Sequence, residues 1–316
     1  MIKGKSVLVT GGAGFIGSNL VDYLLSGNEV HVLDNFSSVD DRYITGFRSR
    51  KDFRIHRKDI TRTEDLEDLD GYDIVFHLAA DSDVRGGSQN PVFDFRVNAE
   101  GTLNILEFMR KNDVKEIAFA SSSTVYGEAS RIPTAEDYGP YMPISSYGAS
   151  KMAAEGFITA YSHYYGIRGT IFRFANIVGR NSTHGVIFDF IRKLQNDGSR
   201  LEILGDGTQK KSYLHVSDCV GSMVYVHERS SKTDIYNLGN RGTTSVLKIA
   251  KIVIDKMKLH DVPLAFTGGF EGRGWMGDVR HAELGVEKLD GTGWKNRYGS
   301  DEAVQVAVDE VLSQIS

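Results

Sequence analysis

The sequence predicts an α/β fold, a doubly wound and mainly parallel sheet, and three observations carry that expectation. Short β-branched apolar runs alternate with amphipathic stretches through the first half of the chain. A glycine-rich turn at residues 11–17 joins the first run to the stretch that follows it. The 34 glycines are aperiodic and sit at turns, against only 5 prolines, as many strand-to-helix crossings require. Such alternation argues for βαβ units with right-handed crossovers.

Taken in order, residues 6–10 read as a strand, 16–25 as a helix and 29–33 as a second strand. Strands follow at 53–57 and 74–78, the latter β-branched and buried in character. Residues 92–111 have helical apolar spacing, 116–120 form a strand, 147–165 a helix and 169–174 a strand. After Phe174 the rhythm changes. Glycine-rich loops at 179–185, 205–211, 239–244 and 268–277 separate amphipathic helices at 186–196, 217–229, 245–258 and 300–312. The expected organisation is a nucleotide-binding domain over 1–174 and a smaller α/β substrate-binding domain over 175–316. Some chain can cross back to the first domain, and a cleft should lie between the two.

Composition narrows the function. Hydrophobic residues make up 41% and charged residues 25% of the 316, enough to bury a sizeable core. A net charge of −5 and a pI near 6.0 lack the basic excess of a nucleic-acid or membrane-surface protein. No run of about 18 apolar residues occurs, so no membrane span is expected. The first residues lead straight into a strand, without the apolar stretch of a signal peptide. A single cysteine, Cys219, rules out an intrachain disulfide and a Cys/His zinc site, and fits a reducing cytoplasm.

The glycine turn carries the first specific chemistry. Thr10 is followed by Gly11, Gly12, Ala13, Gly14, Phe15, Ile16 and Gly17. Of the spaced glycines Gly11, Gly14 and Gly17, one makes the tight turn, one admits a pyrophosphate and one lets helix pack on strand. The helix that opens there points its N–H groups at the phosphates. Asp34 ends the second strand about 20 residues on, as this Rossmann-type fingerprint requires. Its carboxylate should accept the adenine ribose 2′-OH and repel a 2′-phosphate, which selects NAD over NADP. A capping aspartate ahead of Asn35 is the plain alternative. Asp59 and Ile60 follow the third strand and could meet the adenine edge, although an N-cap ahead of Thr61 explains Asp59 almost as well. His77, Leu78, Ala79 and Ala80 end the fourth strand, where small residues let backbone approach a ligand. His77 itself reads as a packed histidine.

Tyr147 and Lys151 are four apart at the start of a helical pattern, which puts both on one face. A tyrosine pKa near 10 is too high for a base at neutral pH. A nearby ammonium should stabilise the phenolate and lower it. The pair is therefore suited to removing a proton from an alcohol as hydride leaves its carbon. Ser121, Ser122, Ser123 and Thr124 follow the strand at 116–120, at the strand end where a doubly wound sheet contacts its ligand. One of these hydroxyls can bond the substrate oxygen and relay the proton. No histidine–acid partner is evident for a nucleophilic serine.

With these residues in place, the chain resembles the extended short-chain dehydrogenase/reductase family, in its nucleotide-sugar epimerase and dehydratase branch, and most closely the UDP-glucose 4-epimerase type. The resemblance rests on TGGAGFIGS (10–18), DN (34–35), HLAA (77–80), NAEGTLNILE (98–107), SSSTVYGE (121–128), YGASK (147–151), RFANIVGR (173–180) and GDGTQKKSYLHVSD (205–218). It implies Tyr147 as base, Lys151 as its partner and holder of the nicotinamide ribose, and Ser122 as the catalytic hydroxyl. It also implies Asn98 and Ser121 at the cofactor site, Ser123 beside the sugar, and Asn176 at the diphosphate of a UDP-sugar substrate. Lys211 sits where relatives carry Arg, which loses the bidentate fork. Arg273 is displaced by two positions from the arginine that relatives carry before a Gly-Asp pair, here Gly277 and Asp278. For Lys211 and Arg273 a solvated loop residue is the alternative. The family's dimers imply a homodimer built on helices 92–111 and 147–165.

The same resemblance points to a reaction. Dehydratases of the family carry an Asp-Glu pair after the catalytic hydroxyl residue, and the related decarboxylases a Glu at the second position. Ser123 and Thr124 stand there instead, which favours oxidation and re-reduction at C4, a 4-epimerisation of UDP-glucose and UDP-galactose with recycled NAD. A 4-epimerase or net oxidoreductase acting on another nucleotide sugar, and a non-catalytic NAD-sensing relative, are the alternatives.

Overall fold

The computed structural model describes residues 2–269, 274 and 278–315. Strands β1 (Ser6–Thr10), β2 (Glu29–Asp34), β3 (Phe53–Arg57), β4 (Ile74–His77), β5 (Glu116–Ser122) and β6 (Arg168–Phe174) lie in one seven-stranded sheet. Its order is β3, β2, β1, β4, β5, β6 and then the strand Asp234–Leu238. The pairings among β1 to β6 are all parallel. The chain winds outward from β1 to β3 and then returns to β4 on the other side of β1. The C-terminal ends of β1 and β4, paired at Thr10 and His77, therefore mark the switch point where such a sheet takes a ligand.

The sequence explains the parallel sheet. Val7, Leu8 and Val9 in β1, and Ile117, Ala118 and Phe119 in β5, are all fully buried. These are the continuous apolar runs of strands covered on both faces. Helix α1 (Phe15–Leu24) and, after the short and largely exposed α2 (Pro91–Asp94), helices α3 (Gly101–Lys111) and α4 (Ser146–Tyr165) cover the sheet. One core joins Leu8, Val75 and Phe119 of the sheet to Ile105 and Met109 of α3 and Ala154 and Ile158 of α4.

One predicted element is interrupted. The helix expected over 92–111 consists of α2 and α3 joined by a π-helical segment, Phe95–Glu100. A π turn takes in an extra residue and recurs at functional sites. Here it carries Asn98, which is fully buried. Its Oδ1 accepts from the Asp81 backbone N–H at 2.9 Å, and its Nδ2 lies 3.2 Å from the Asp81 carbonyl. A regular apolar period carries no trace of that long-range contact.

The chain divides into two compact units. The first comprises Met1–Gly127, Gly139–Phe174 and Val220–Tyr236, the second Glu128–Tyr138, Ala175–Cys219 and Asn237–Ser316. Within the second, helices Val186–Asn196, Val246–Lys256 and Ser300–Ile315 pack around Phe190, Leu194, Ile249, Val253, Val304 and Val308. Short parallel pairs, Asn176–Val178 with Tyr213–His215 and Leu201–Leu204 with Leu264–Thr267, complete it. Among the described residues no helix is long and apolar enough to cross a membrane.

Candidate active site

The glycine turn is built as three different solutions to one problem. Gly11 has φ +69° and its N–H donates to the Leu33 carbonyl at 2.8 Å, which steers the chain off β1 beside β2. A Cβ on Gly11 would meet the Ala79 backbone nitrogen at 2.6 Å, and one on Gly17 would stand 2.0 Å from the Gly11 carbonyl oxygen. These two glycines are demanded by the fold itself. Gly14 is not, because its Cβ would meet nothing nearer than the Gly11 oxygen at 3.4 Å. Gly14 caps α1 without a side-chain hydrogen bond, so the N–H groups of Phe15 and Ile16 open the helix with no acceptor from the cap. Open space over an uncapped helix end fits a pyrophosphate.

Asp34 closes the other side of the turn. Its Oδ2 accepts from the Ala13 N–H at 3.0 Å and its Oδ1 from the Phe36 N–H at 2.8 Å. Burial raises its pKa against those two bonds and the nearby Arg57 charge. The carboxylate is thus fixed in direction, with lone pairs left for ribose hydroxyls. Asn35 donates to Asp59 Oδ2 at 3.0 Å, and Asp59 Oδ1 accepts from both the N–H and the hydroxyl of Thr61, at 2.9 and 2.7 Å. The turn-capping role of Asp59 is therefore the one the geometry displays. Ile60 is buried, and its carbonyl accepts from Asn104 Nδ2 at 2.9 Å.

Leu78, Ala79 and Ala80 are half-buried past the end of β4. Beneath them the polar directions are fixed. Ala79 N–H donates to Thr10 Oγ1 at 3.2 Å, and Thr10 Oγ1 lies 2.6 Å from His77 Nδ1. On the other side His77 Nε2 is 3.0 Å from Thr102 Oγ1, which itself donates to the Asn98 carbonyl at 2.6 Å. His77 must then carry its proton on Nε2. Burial, with Lys151 adding to it, lowers its pKa to about 3, so it is a neutral packing residue.

The alcohol chemistry sits at the start of α4. Ser145 caps the helix by accepting from the Gly148 N–H at 3.1 Å. A Cβ on Gly148 would stand 2.7 Å from the Thr124 carbonyl oxygen, so the helix start lies directly on the turn Ser123–Tyr126. Tyr147 and Ser122 are hydrogen-bonded. Ser122 Oγ accepts from the Thr124 N–H at 3.2 Å and from Thr124 Oγ1 at 2.9 Å. With both acceptor positions filled, its own proton is directed outward, to Tyr147. Lys151 Nζ donates to the Ala120 carbonyl at 2.9 Å. Asn98 Nδ2 donates to Ser150 Oγ at 3.0 Å, and Ser150 Oγ to the Tyr147 carbonyl at 2.8 Å.

The electrostatics differ from the sequence expectation. Burial pushes the Tyr147 hydroxyl up to about 12, with the Ser122 hydrogen bond pulling the other way. Burial also brings Lys151 down to about 7, against the charge of Glu155. The lysine therefore does not lower the tyrosine in the chain alone. Its nitrogen is turned to Ala120 and lies 5.9 Å from the centre of the Tyr147 ring, and desolvation of the phenolate outweighs it.

Other expected site residues are placed as follows. Ser121 donates to Glu155 Oε1 at 2.5 Å and is buried. Ser123 begins the turn after β5, half-buried. Asn176 opens a strand, with Nδ2 3.4 Å from the Ser212 carbonyl. Lys211 is paired with Asp278 at 2.6 Å, a partner that sequence spacing did not reveal. Arg273 lies outside the described residues. Sequence reasoning named Thr124 only among the strand-end hydroxyls and gave Glu155 and Arg173 no role, although Glu155 follows Lys151 at the same helical spacing that links Lys151 to Tyr147. Among the described residues no group of acidic, His or Cys side chains is placed to hold a metal.

Comparison with known proteins gives the family and the fold. Residues 7–239 match the sequence model of the NAD dependent epimerase/dehydratase family. A Methanocaldococcus jannaschii protein, provisionally named a UDP-glucose 4-epimerase, is 34% identical over 314 residues, 96% of this chain and 97% of its own. A crystal structure of a UDP-galactose 4-epimerase superposes with a TM-score of 0.88 at 37% identity, covering 98% of this chain and 100% of that one. A UDP-N-acetylglucosamine 4-epimerase from Methanobrevibacter ruminantium gives 0.89 at 27% identity, covering 99% and 100%. Fold, nucleotide turn and Tyr/Lys helix all lead to one conclusion: the chain belongs to the NAD-dependent epimerase/dehydratase family.

Proposed function

We propose that the protein is a nucleotide-sugar 4-epimerase interconverting UDP-glucose and UDP-galactose. The observation that carries the reading is the use made of the turn after β5. Ser123 and Thr124 occupy the positions where dehydratases hold their eliminating carboxylates, and the Thr124 hydroxyl is donated to Ser122. The turn thus orients one proton relay and offers no acid for elimination. In this reading Tyr147, helped by the hydrogen bond from Ser122, takes the C4 hydroxyl proton and returns it after the sugar has turned over. Lys151 holds the ribose beside them. Bound NAD supplies the hydride acceptor and donor. Gly11, Gly14, Gly17 and Asp34 hold its pyrophosphate and adenine ribose. Asn176, Lys211 and Arg273 as diphosphate ligands remain part of the proposal.

The homodimer belongs to it as well. Val92, Phe93 and Phe95 on one helix, and Phe157, Tyr164 and Tyr165 on α4, expose large apolar surface, which a soluble monomer rarely presents in clusters.

The test is a panel of UDP-, dTDP- and GDP-sugars incubated with the purified protein and read by chromatography and mass spectrometry. UDP-glucose and UDP-galactose should interconvert with no change in mass and no release of NADH. A requirement for stoichiometric NAD, or a product lighter by two hydrogens, would point to a net oxidoreductase. Turnover confined to N-acetylated sugars would move the assignment to the chemistry named for the Methanobrevibacter protein. Tyr147→Phe should abolish turnover, about 10²–10⁴-fold for a lost acid–base group, while NAD still binds.

A further inference from the structure

Glu155 stands one helical turn beyond Lys151, as Lys151 stands beyond Tyr147. An ammonium and a carboxylate at this spacing on one helix face are natural partners, and their attraction strengthens away from water. Lys151 nevertheless makes its hydrogen bond to the Ala120 carbonyl at 2.9 Å. Glu155 is taken elsewhere. Its Oε1 accepts from Arg173 Nε at 3.0 Å and Ser121 Oγ at 2.5 Å, and its Oε2 from Arg173 Nη2 at 2.6 Å. Consecutive residues of β5, Ala120 and Ser121, thus draw the two charges to different anchors.

Arg173 is built for this hold. It has no exposed surface. Its guanidinium lies 4.7 Å from the ring centre of Tyr126 and 4.6 Å from that of Tyr141, and its Nη1 donates to Tyr141 Oη at 3.2 Å. The register of β6 sets Arg173 opposite Ser121. A planar fork that cannot lose its proton grips both carboxylate oxygens at once. A buried ion pair is often no more stabilising than apolar residues of the same volume, so stability alone is a weak reason for a charged group at the foot of a reacting site.

We propose that Arg173 is a positioning residue that holds Glu155 away from Lys151, keeping the lysine available to Tyr147 and the site above it. The proposal rests on reading Tyr147 and Lys151 as the catalytic pair. Among the described residues, Lys151 lies 5.9 Å from the ring centre of Tyr147 on its own helix and 4.9 Å from that of Phe119 on β5, and it interacts electrostatically with Glu155 on its own helix and His77 on β4. His77 is neutral. Glu155, once released, is the one anion among them that could draw the ammonium to itself.

The test reads Lys151 directly and needs no turnover. Protein labelled with ¹³C at lysine Cε is titrated by NMR, and the Lys151 signal is assigned by its loss in Lys151→Arg. The wild-type midpoint should lie near about 7. In Arg173→Met it should rise by at least one pH unit, a tenfold gain in proton affinity, and in Arg173→Met/Glu155→Gln it should return. An unchanged midpoint in folded Arg173→Met overturns the proposal, as does a double variant that stays shifted with the single. If Arg173→Met does not fold, Arg173→Lys takes its place. One ammonium cannot form the fork, so the midpoint must again rise, and a midpoint that stays put overturns the proposal. UDP-glucose turnover on the same samples tests the function separately. A midpoint that moves as expected in the variants of a protein whose wild type has no epimerase activity refutes the function and leaves the positioning role intact.

Discussion

Alanine at Gly14 and alanine at Gly17 should separate cofactor binding from folding. At Gly17 the new Cβ would stand 2.0 Å from the Gly11 oxygen and 2.8 Å from the Gly12 Cα. Both are backbone atoms of the turn, so neither can rotate aside, and α1 must lift from the strand end. Overpacking of this kind costs about 1–3 kcal/mol, and at roughly 2–4 °C per kcal/mol for a chain of this class the Tm falls by several degrees. At Gly14 the nearest atom is 3.4 Å away and φ is −69°, which alanine adopts without strain. The stiffer unfolded chain gains about 0.4–1 kcal/mol and the poorer N-cap loses a comparable amount. Stability should therefore change by less than about 1 kcal/mol. The methyl group now occupies the space over the Phe15 and Ile16 N–H groups, and NAD affinity should fall at least about tenfold, or 1.4 kcal/mol. Circular dichroism melts and calorimetric titration of cofactor-stripped protein measure both quantities. Wild-type NAD affinity in Gly14→Ala would refute the placement of the pyrophosphate at this helix end. A wild-type Tm in Gly17→Ala would refute the packing role of Gly17.

Further outcomes follow from single contacts. Thr124→Val removes the hydroxyl that Ser122 accepts at 2.9 Å and leaves the N–H at 3.2 Å. Turnover should drop about tenfold with KM little changed, as for loss of one hydrogen bond of about 1.4 kcal/mol in the transition state alone, and Thr124→Ser should restore it. His77 titrates near about 3 when folded against 6.5 unfolded. Between those values the unfolded chain binds a proton that the folded chain does not, so stability falls as pH drops through the window, by about 1.4 kcal/mol per unit. Urea unfolding at both ends of that slope should show a smaller acid loss in His77→Gln, and equal losses would count against a buried neutral histidine. Light scattering should give twice 35.0 kDa for the wild type and the monomer mass for Phe95→Glu/Phe157→Glu, whose sites lie on the exposed apolar helices. A monomeric wild type would end the dimer reading.

The parts of this fold that were legible in the sequence share a physical cause. Strands β1, β4 and β5 are buried almost throughout, so each writes a nearly continuous apolar run, and their bounds can be read closely. Short pairs such as Leu201–Leu204 with Leu264–Thr267 carry too few residues to show a period. The π turn at Phe95–Glu100 was invisible because it answers a contact to Asp81, remote in sequence. The same holds for Lys211. Its type and position are readable, but its ion pair reaches across 67 residues to Asp278, and nothing in the local pattern announces that the ammonium is already matched.

Tyr147 shows where residue identity stops predicting chemistry. The spacing to Lys151 was readable and the helix delivers it, yet the tyrosine moves up while the lysine moves down. Spacing reports which charges are near, whereas burial reports what each charge costs, and burial depends on Phe119 and the rest of the sheet packed beneath. For two groups out of water the cost of ionising either exceeds what one can offer the other at this distance. The protein chain alone therefore keeps the phenol protonated beside a lysine that is only partly charged at neutral pH, the one bonded to Ser122 and the other to the Ala120 carbonyl. A positive charge placed against the phenol would shift that balance toward phenolate, and the open helix end at Gly14 and the carboxylate of Asp34 are features suited to bind the dinucleotide that brings one.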